Sequence, residues 1–236
     1  MAEPEKHETA GREMDQFLYA VSHDLQEPFR KVCTFGERLA AKLAGRLDDA
    51  AGDDLARMLG AARRGQNMIE GLLVLSRIET RGGPFTRVDL SETIAGVIKD
   101  LRDAAEACGA EVEVGPLPVV RADASQMAVL FAALIDNALK FRSPAIRPRI
   151  RVTADCSGNA TVCRIVVADN GIGIDPHHAE RIFTVFQRLH PRDVYPGLGL
   201  GLAIARRIAR RHGGDIAVES APNQGSRFVV TLSAAD

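Results

Sequence analysis

Val167-Ala-Asp-Asn-Gly-Ile-Gly-Ile-Asp175 is the stretch on which the reading of this chain turns. The apolar run Ile165-Val166-Val167 just before it reads as a buried strand within Thr161–Ala168. Asp169 follows at the strand end, and Gly171 and Gly173 let the backbone turn tightly behind it. A carboxylate held at a strand end is a fixed acceptor for one donor of a ligand. An adenine amino group suits that acceptor, whereas guanine presents an oxygen at the same edge and is rejected.

Upstream, Asp123–Phe141 reads as a helix that Asp123 and Ser125 can cap, ending in Leu134-Ile-Asp-Asn-Ala-Leu-Lys-Phe141. Asn137 and Lys140 fall on one side of its last turn: an amide oxygen is a hard ligand for Mg²⁺, and an ammonium suits phosphate. Downstream, Ile182-Phe-Thr-Val-Phe-Gln-Arg-Leu189 leads through a short, proline-bracketed segment that could close as a lid. Pro196-Gly-Leu-Gly-Leu-Gly-Leu202 then runs into a helix. Gly197, Gly199 and Gly201 permit close backbone approach, and N–H groups at a helix start bind phosphate. The loop lacks the Lys-Ser/Thr ending of a Walker loop.

The rest of this half alternates in type. Helices are expected over Ser91–Cys108, Pro176–Phe186 and Leu200–His212, and strands over Glu111–Val114, Arg149–Ala154, Ile216–Glu219 and Arg227–Leu232. The mixture predicts an α/β sandwich, one sheet with helices on a face.

Ahead of Arg81-Gly82-Gly83-Pro84 the pattern is helical throughout, so the chain divides into 1–83 and 84–236. Met14, Phe17, Val21, Leu25, Val32, Phe35 and Leu39 share one face of a first helix, and Leu55, Met58, Leu59, Ala62, Ile69, Leu72 and Leu73 line a second. Gly45–Gly52 connects them as an antiparallel hairpin. One hairpin cannot bury both stripes, which predicts a homodimer closing a four-helix bundle.

His23 projects ~190° from the apolar face of the first helix, beside Asp24. Neutral imidazole is a competent nucleophile, and an adjacent carboxylate can orient the ring and take its proton. Pro28 removes a helical hydrogen bond one turn on.

A formal net charge of -1 exerts no general pull towards nucleic acid or acidic membranes. The basic runs Arg147, Arg149, Arg151 and Arg206, Arg207, Arg210, Arg211 read as solvated faces. Cys33, Cys108, Cys156 and Cys163 lack metal-ligand spacing and read as reduced thiols. The longest apolar stretch, Met127–Ile135, is too short to span a bilayer, and no signal segment opens the chain, so a cytoplasmic location is expected.

Phe17-Leu-Tyr-Ala-Val-Ser-His-Asp-Leu-Gln-Glu-Pro28 resembles the phosphoacceptor box of dimeric sensor histidine kinases, in the variant of the phytochrome-like group. The four pieces of the second half, in their order and spacing, resemble the ATP-binding domain shared by histidine kinases, gyrase, mismatch-repair ATPases and a heat-shock chaperone. The resemblance implies that His23 is phosphorylated, that Asp24 is its acid/base and that the phosphoryl group passes to an aspartate on a response-regulator receiver domain. It further implies that Asn137 holds Mg²⁺ and that Asp169 reads the adenine of ATP. Gly171 and Gly173 shape the base pocket, and Gly197, Gly199 and Gly201 wrap the phosphates beside Lys140 and Phe141. Ser226 stands where relatives carry a threonine beside the aspartate.

Two positions depart from relatives. The hydrolytic members place a glutamate four residues before the Mg²⁺-binding asparagine to activate water, and here that residue is Ala133. Many histidine kinases carry Thr or Asn four residues after the histidine, used in dephosphorylating the partner, and here it is Glu27. Without a base for water, the γ-phosphate needs another acceptor, which His23 supplies. The competing expectations are a dimeric phosphotransfer adaptor that no longer binds ATP, and a serine kinase on the same fold. A sensor domain is expected to lie outside these residues, on this chain's natural extension or on another protein.

Overall fold

The computed structural model describes residues 24–156, 162–191 and 194–233. His23 and the residues before it lie outside the described residues, as does the part of the first apolar stripe formed by Met14, Phe17 and Val21. The chain forms two compact units that divide between Thr80 and Arg81.

The first unit is a pair of helices, α1 (24–42) and α2 (Asp49–Thr80). Asp48 accepts the Ala51 N–H at 2.7 Å and so starts α2 earlier than the Gly45–Gly52 connector implies, with Gly52 inside the helix. Cys33, Leu59, Ala62 and Ile69 are buried in this unit, and Arg63 pairs with Glu37 across the two helices. Leu25, Val32, Phe35 and Leu39 of α1 and Met58 and Leu72 of α2 stay exposed, Phe35 at 61%. Pro28 sits within α1.

In the second unit β1 (Thr86–Asp89) pairs antiparallel with β3 (Val119–Ala122) in a small ribbon absent from the sequence expectations. The main sheet runs β2-β4-β5-β7-β6, from β2 (Glu111–Val114), β4 (Arg149–Asp155), β5 (Val162–Asp169), β6 (Ile216–Ser220) and β7 (Ser226–Ser233). Among the described residues, the β2–β4 pairing is the one parallel pairing of this sheet. Alternation buries Ile150, Val152, Ile165, Val167, Phe228 and Val230 on the face that meets α5 (Ala124–Lys140) and α6 (Gly201–Arg211). Met127, Leu130, Phe131 and Leu134 complete that core from α5, an α/β sandwich.

Three expectations change. The helix expected over Ser91–Cys108 breaks at Leu101 into α3 (Leu90–Asp100) and α4 (Arg102–Ala107), because Leu101 adopts φ -92° and ψ 8°. The helix expected over Pro176–Phe186 is two 3₁₀ turns, Pro176–His178 and Arg181–Phe183. Thr184 turns extended and Phe186 takes a φ of 63°, which brings the Phe186 N–H to the Gly199 carbonyl at 3.0 Å. Finally, Cys156 and Cys163 are not separate thiols. The antiparallel β4–β5 register that pairs Asp155 with Arg164 sets the two cysteines opposite each other, 4.5 Å apart at Cα, in a disulfide. Cys33 and Cys108 remain free.

The far ends of α5 and α6 meet the chain at Gly83. Asp123, which caps α5, accepts the Gly83 N–H at 2.6 Å, and Arg211 donates to the Gly83 carbonyl at 3.1 Å and to Asp123 at 3.3 Å. His212 stacks on Phe85 at 4.4 Å and accepts the Asp123 N–H through Nε2 at 3.0 Å. Arg206 and Arg211, expected on a solvated face, each keep only 16% of their side chain exposed, whereas Arg147, Arg149 and Arg151 stand in solvent. Among the described residues no helix is long and apolar enough to cross a membrane.

Candidate functional site

β5 carries Asp169 to the end of the sheet, in register with Ser226, the first residue of β7. The Gly171 and Ser226 N–H groups both donate to Asp169 Oδ1, at 2.8 and 3.2 Å. Burial raises this carboxyl above the ordinary carboxylate range, against the opposing pull of those two N–H groups. Asp169 and Ser226 line a cavity of about 390 Å³, within the range of small-molecule sites.

The last turn of α5 contributes Asn137, Lys140 and Phe141 to the same cavity, with Ala133 one turn before Asn137. Burial lowers the Lys140 ammonium from its ordinary range, Asp136 acts the other way, and Arg188 adds to the lowering. A desolvated cation of this kind gains most from an anionic ligand. Lys140 Nζ also lies where a side chain on Gly197 would project, so helix and glycine loop meet directly.

Gly197, Gly199, Gly201 and Gly173 all line the cavity. Gly199 has φ +73°, and a β-carbon there would press on the Gln187 carbonyl at 2.5 Å. Gly201 opens α6, so the free N–H groups of that helix start at the cavity. Gly171 does not line it. A β-carbon on Gly171 would strike the Phe141 carbonyl, which accepts the Ile172 N–H at 3.0 Å. Gly171 therefore brings the strand-end loop onto α5 from behind the wall.

Other lining residues were not singled out from sequence. Asp136 stands beside Asn137, and His190 joins Phe141 and Tyr195 in a cluster with centroids 4.9 to 6.0 Å apart. His190 and Tyr195, each next to a proline that brackets the segment, were the available signal. Ile172, Ile174 and Ile182 supply apolar wall, as stacking of a flat base requires.

The residues present suit a magnesium nucleotide. Among the described residues no cluster of three or more His, Cys, Asp or Glu forms a metal cage. Mg²⁺ is commonly held by one or two protein groups together with substrate phosphates, a role open to Asn137 beside Lys140. Asp24, the other residue proposed from sequence for chemistry, is exposed at the start of the described part of α1.

Residues 122–236 match the family described as histidine kinase-, DNA gyrase B-, and HSP90-like ATPase. The phytochrome-like protein Cph1 of Synechocystis sp. is 37% identical over 225 residues, which is 95% of this chain and 30% of that protein. The histidine protein kinase DivJ of Caulobacter vibrioides is 30% identical, over 92% of this chain and 37% of its own length. The crystal structure of full-length ShkA superposes on 93% of this chain and 46% of its own with a TM-score of 0.68 at 23% identity, a likeness of fold. The catalytic domain of the histidine kinase ThkA aligns over its whole length with 65% of this chain, at a TM-score of 0.55 and 25% identity. Over residues 122–236 the chain is thus similar to histidine kinase-, gyrase- and HSP90-like ATPase domains, and over most of its length it resembles the catalytic core of sensor histidine kinases. Phytochrome-like proteins are among its relatives, and the chain spans about 30% of the length of the phytochrome relatives it matches.

Proposed function

We propose that the chain binds Mg²⁺·ATP in residues 84–236, phosphorylates His23 in residues 1–83 and hands the phosphoryl group to an aspartate of a response-regulator receiver domain. The observation that carries this reading is the convergence of Asn137, Lys140, Asp169 and the glycine loop on one cavity. Asp169 accepts from the adenine amino group, and Lys140 and the N–H groups at Gly197, Gly199 and Gly201 meet the phosphates. Mg²⁺ held at Asn137 would supply charge neutralisation on those phosphates.

In the transfer, a ring nitrogen of His23 attacks the γ-phosphorus, the bond to the β-phosphate oxygen breaks, ADP leaves, and the imidazole proton passes to Asp24. Ala133 offers no base to water, which favours the histidine as acceptor. The exposed stripes of α1 and α2 fit a homodimer that closes a four-helix bundle. The setting is cytoplasmic two-component signalling, with the sensor supplied outside these residues.

Incubation with γ-labelled ATP tests the reading. Acid-labile label should appear on the wild type and vanish in His23→Ala and Asn137→Ala. Label that survives His23→Ala points to a different acceptor, and absence of ATP binding to the wild type points to an adaptor; either result ends the proposal.

A further inference from the structure

Ser220, the last residue of β6, does not line the cavity, yet it governs what the cavity presents. Its Oγ makes three contacts: with the Gly225 carbonyl at 2.7 Å, the Ile174 N–H at 2.8 Å and Ser226 Oγ at 3.1 Å. A serine hydroxyl has one proton and two lone pairs. The proton goes to Gly225, since a carbonyl can only accept. One lone pair takes the Ile174 N–H, since an amide N–H can only donate. The second lone pair is left for Ser226, so Ser226 must be the donor in the hydroxyl pair.

This allocation consumes the only hydroxyl proton of Ser226. Ser226 is buried to 6% exposure and lines the cavity beside Asp169. Its Oγ can therefore offer a ligand lone pairs alone, and the Asp169 carboxylate next to it offers the same.

We propose that Ser220 is a specificity-determining positioning residue: by holding the Ser226 proton it keeps the base end of the cavity acceptor-only, which admits a purine bearing an amino group at that edge and excludes one bearing a keto oxygen. The inference rests on the reading of the cavity as a nucleotide site. It assigns discrimination to the Ser220–Ser226 hydroxyl pair together with Asp169, and not to the aspartate alone.

Non-hydrolysable analogues of ATP and GTP, titrated into the full chain by calorimetry, test it. The wild type should prefer the adenine analogue; binding of neither analogue would sink the nucleotide reading itself. In Ser220→Ala the Ser226 proton is released and can turn to a keto oxygen, so the ATP-to-GTP affinity ratio should fall about tenfold, a hydrogen-bond-sized change. Ser220→Thr keeps the hydroxyl and should restore the ratio. A Ser220→Ala protein that loses both affinities by the same factor makes Ser220 a mere staple between the β6–β7 turn and Ile174, and the proposal falls. Should that variant fail to fold, Ser220→Cys decides: its thiol is a weak acceptor that holds the Ser226 proton less firmly, so a reduced ratio supports the proposal and an unchanged ratio overturns it.

Discussion

Arg206 and Asp215, nine residues apart, face each other in a two-pronged ion pair, Nε to Oδ1 at 2.7 Å and Nη2 to Oδ2 at 3.1 Å. The same guanidinium reaches Glu180 at 2.7 Å and lies 4.7 Å from the Phe183 ring centroid. One side chain of α6 thus ties the entry to β6 and the 3₁₀ turns bordering the cavity to one another.

Arg206→Ala should cost about 1 kcal/mol, a value kept small because Asp215 is 45% exposed and screened by solvent. The Arg206 hydrogen bonds come first among the causes that hold the Asp215 carboxyl far below its ordinary range. A depressed carboxyl stabilises the fold above its unfolded value of 3.8, and that gain is lost as pH falls through the folded value. Urea midpoints measured from pH 6 downward should therefore show a shallower acid decline in the variant; identical declines would contradict this.

His212 gives the same sign through a different cause, burial of the ring. Its Nδ1–H donates to the Ile208 carbonyl at 2.8 Å while Nε2 accepts from Asp123, so the ring is neutral in the fold. Burial is the main cause of a pKa below the ordinary 6.5, reinforced by Arg211 and opposed by the Ile208 carbonyl and Asp123. The unfolded state then binds the proton more readily, and stability drops as pH falls below 6.5 towards the folded value. His212→Gln should flatten this part of the curve between pH 7 and 5, read by chemical denaturation; an unaltered slope would count against it.

Two glycines should respond oppositely to alanine. Gly96 lies within α3 with nothing within 4 Å of a new β-carbon, so Gly96→Ala should stabilise by about 0.5–1 kcal/mol. Gly171→Ala meets the Phe141 carbonyl and should destabilise by about 1–3 kcal/mol while lowering ATP affinity. Thermal melts with and without nucleotide read both effects, and a Gly171→Ala protein of wild-type affinity would refute the account of that wall.

Phe35→Glu places a charge on the open stripe of the hairpin, where Phe35 is 61% exposed. If that stripe is the seam between two copies, light scattering should report half the wild-type mass, with the second unit still binding nucleotide. A dimer that persists would place the seam elsewhere.

Much of the second unit was legible because burial writes itself into alternation. β4, β5, β6 and β7 each fall within one residue or so of their sequence reading, and Asp123 announces α5 by its cap. What escaped depends on partners distant in sequence. The turns after Pro176 read as a helix because Phe183 and Phe186 have helical spacing, but the Phe186 N–H is claimed by the Gly199 carbonyl. The Cys156–Cys163 pair follows from a strand register that spacing alone does not reveal. Arg206 and Arg211 looked solvated until Asp215 and Asp123 were brought to them. At the site, Asn137, Lys140, Asp169 and the glycines carried recognisable chemistry, whereas Ser220 shows its part only through three hydrogen bonds.

The clasp at Gly83 has a mechanical corollary. It grips the start of α5 and the end of α6, about 25 and 16 Å long at 1.5 Å per residue, whose opposite tips border the cavity. A tug on the backbone at Gly83 is borne by two stiff rods, so the cavity at their other ends keeps its contour under load.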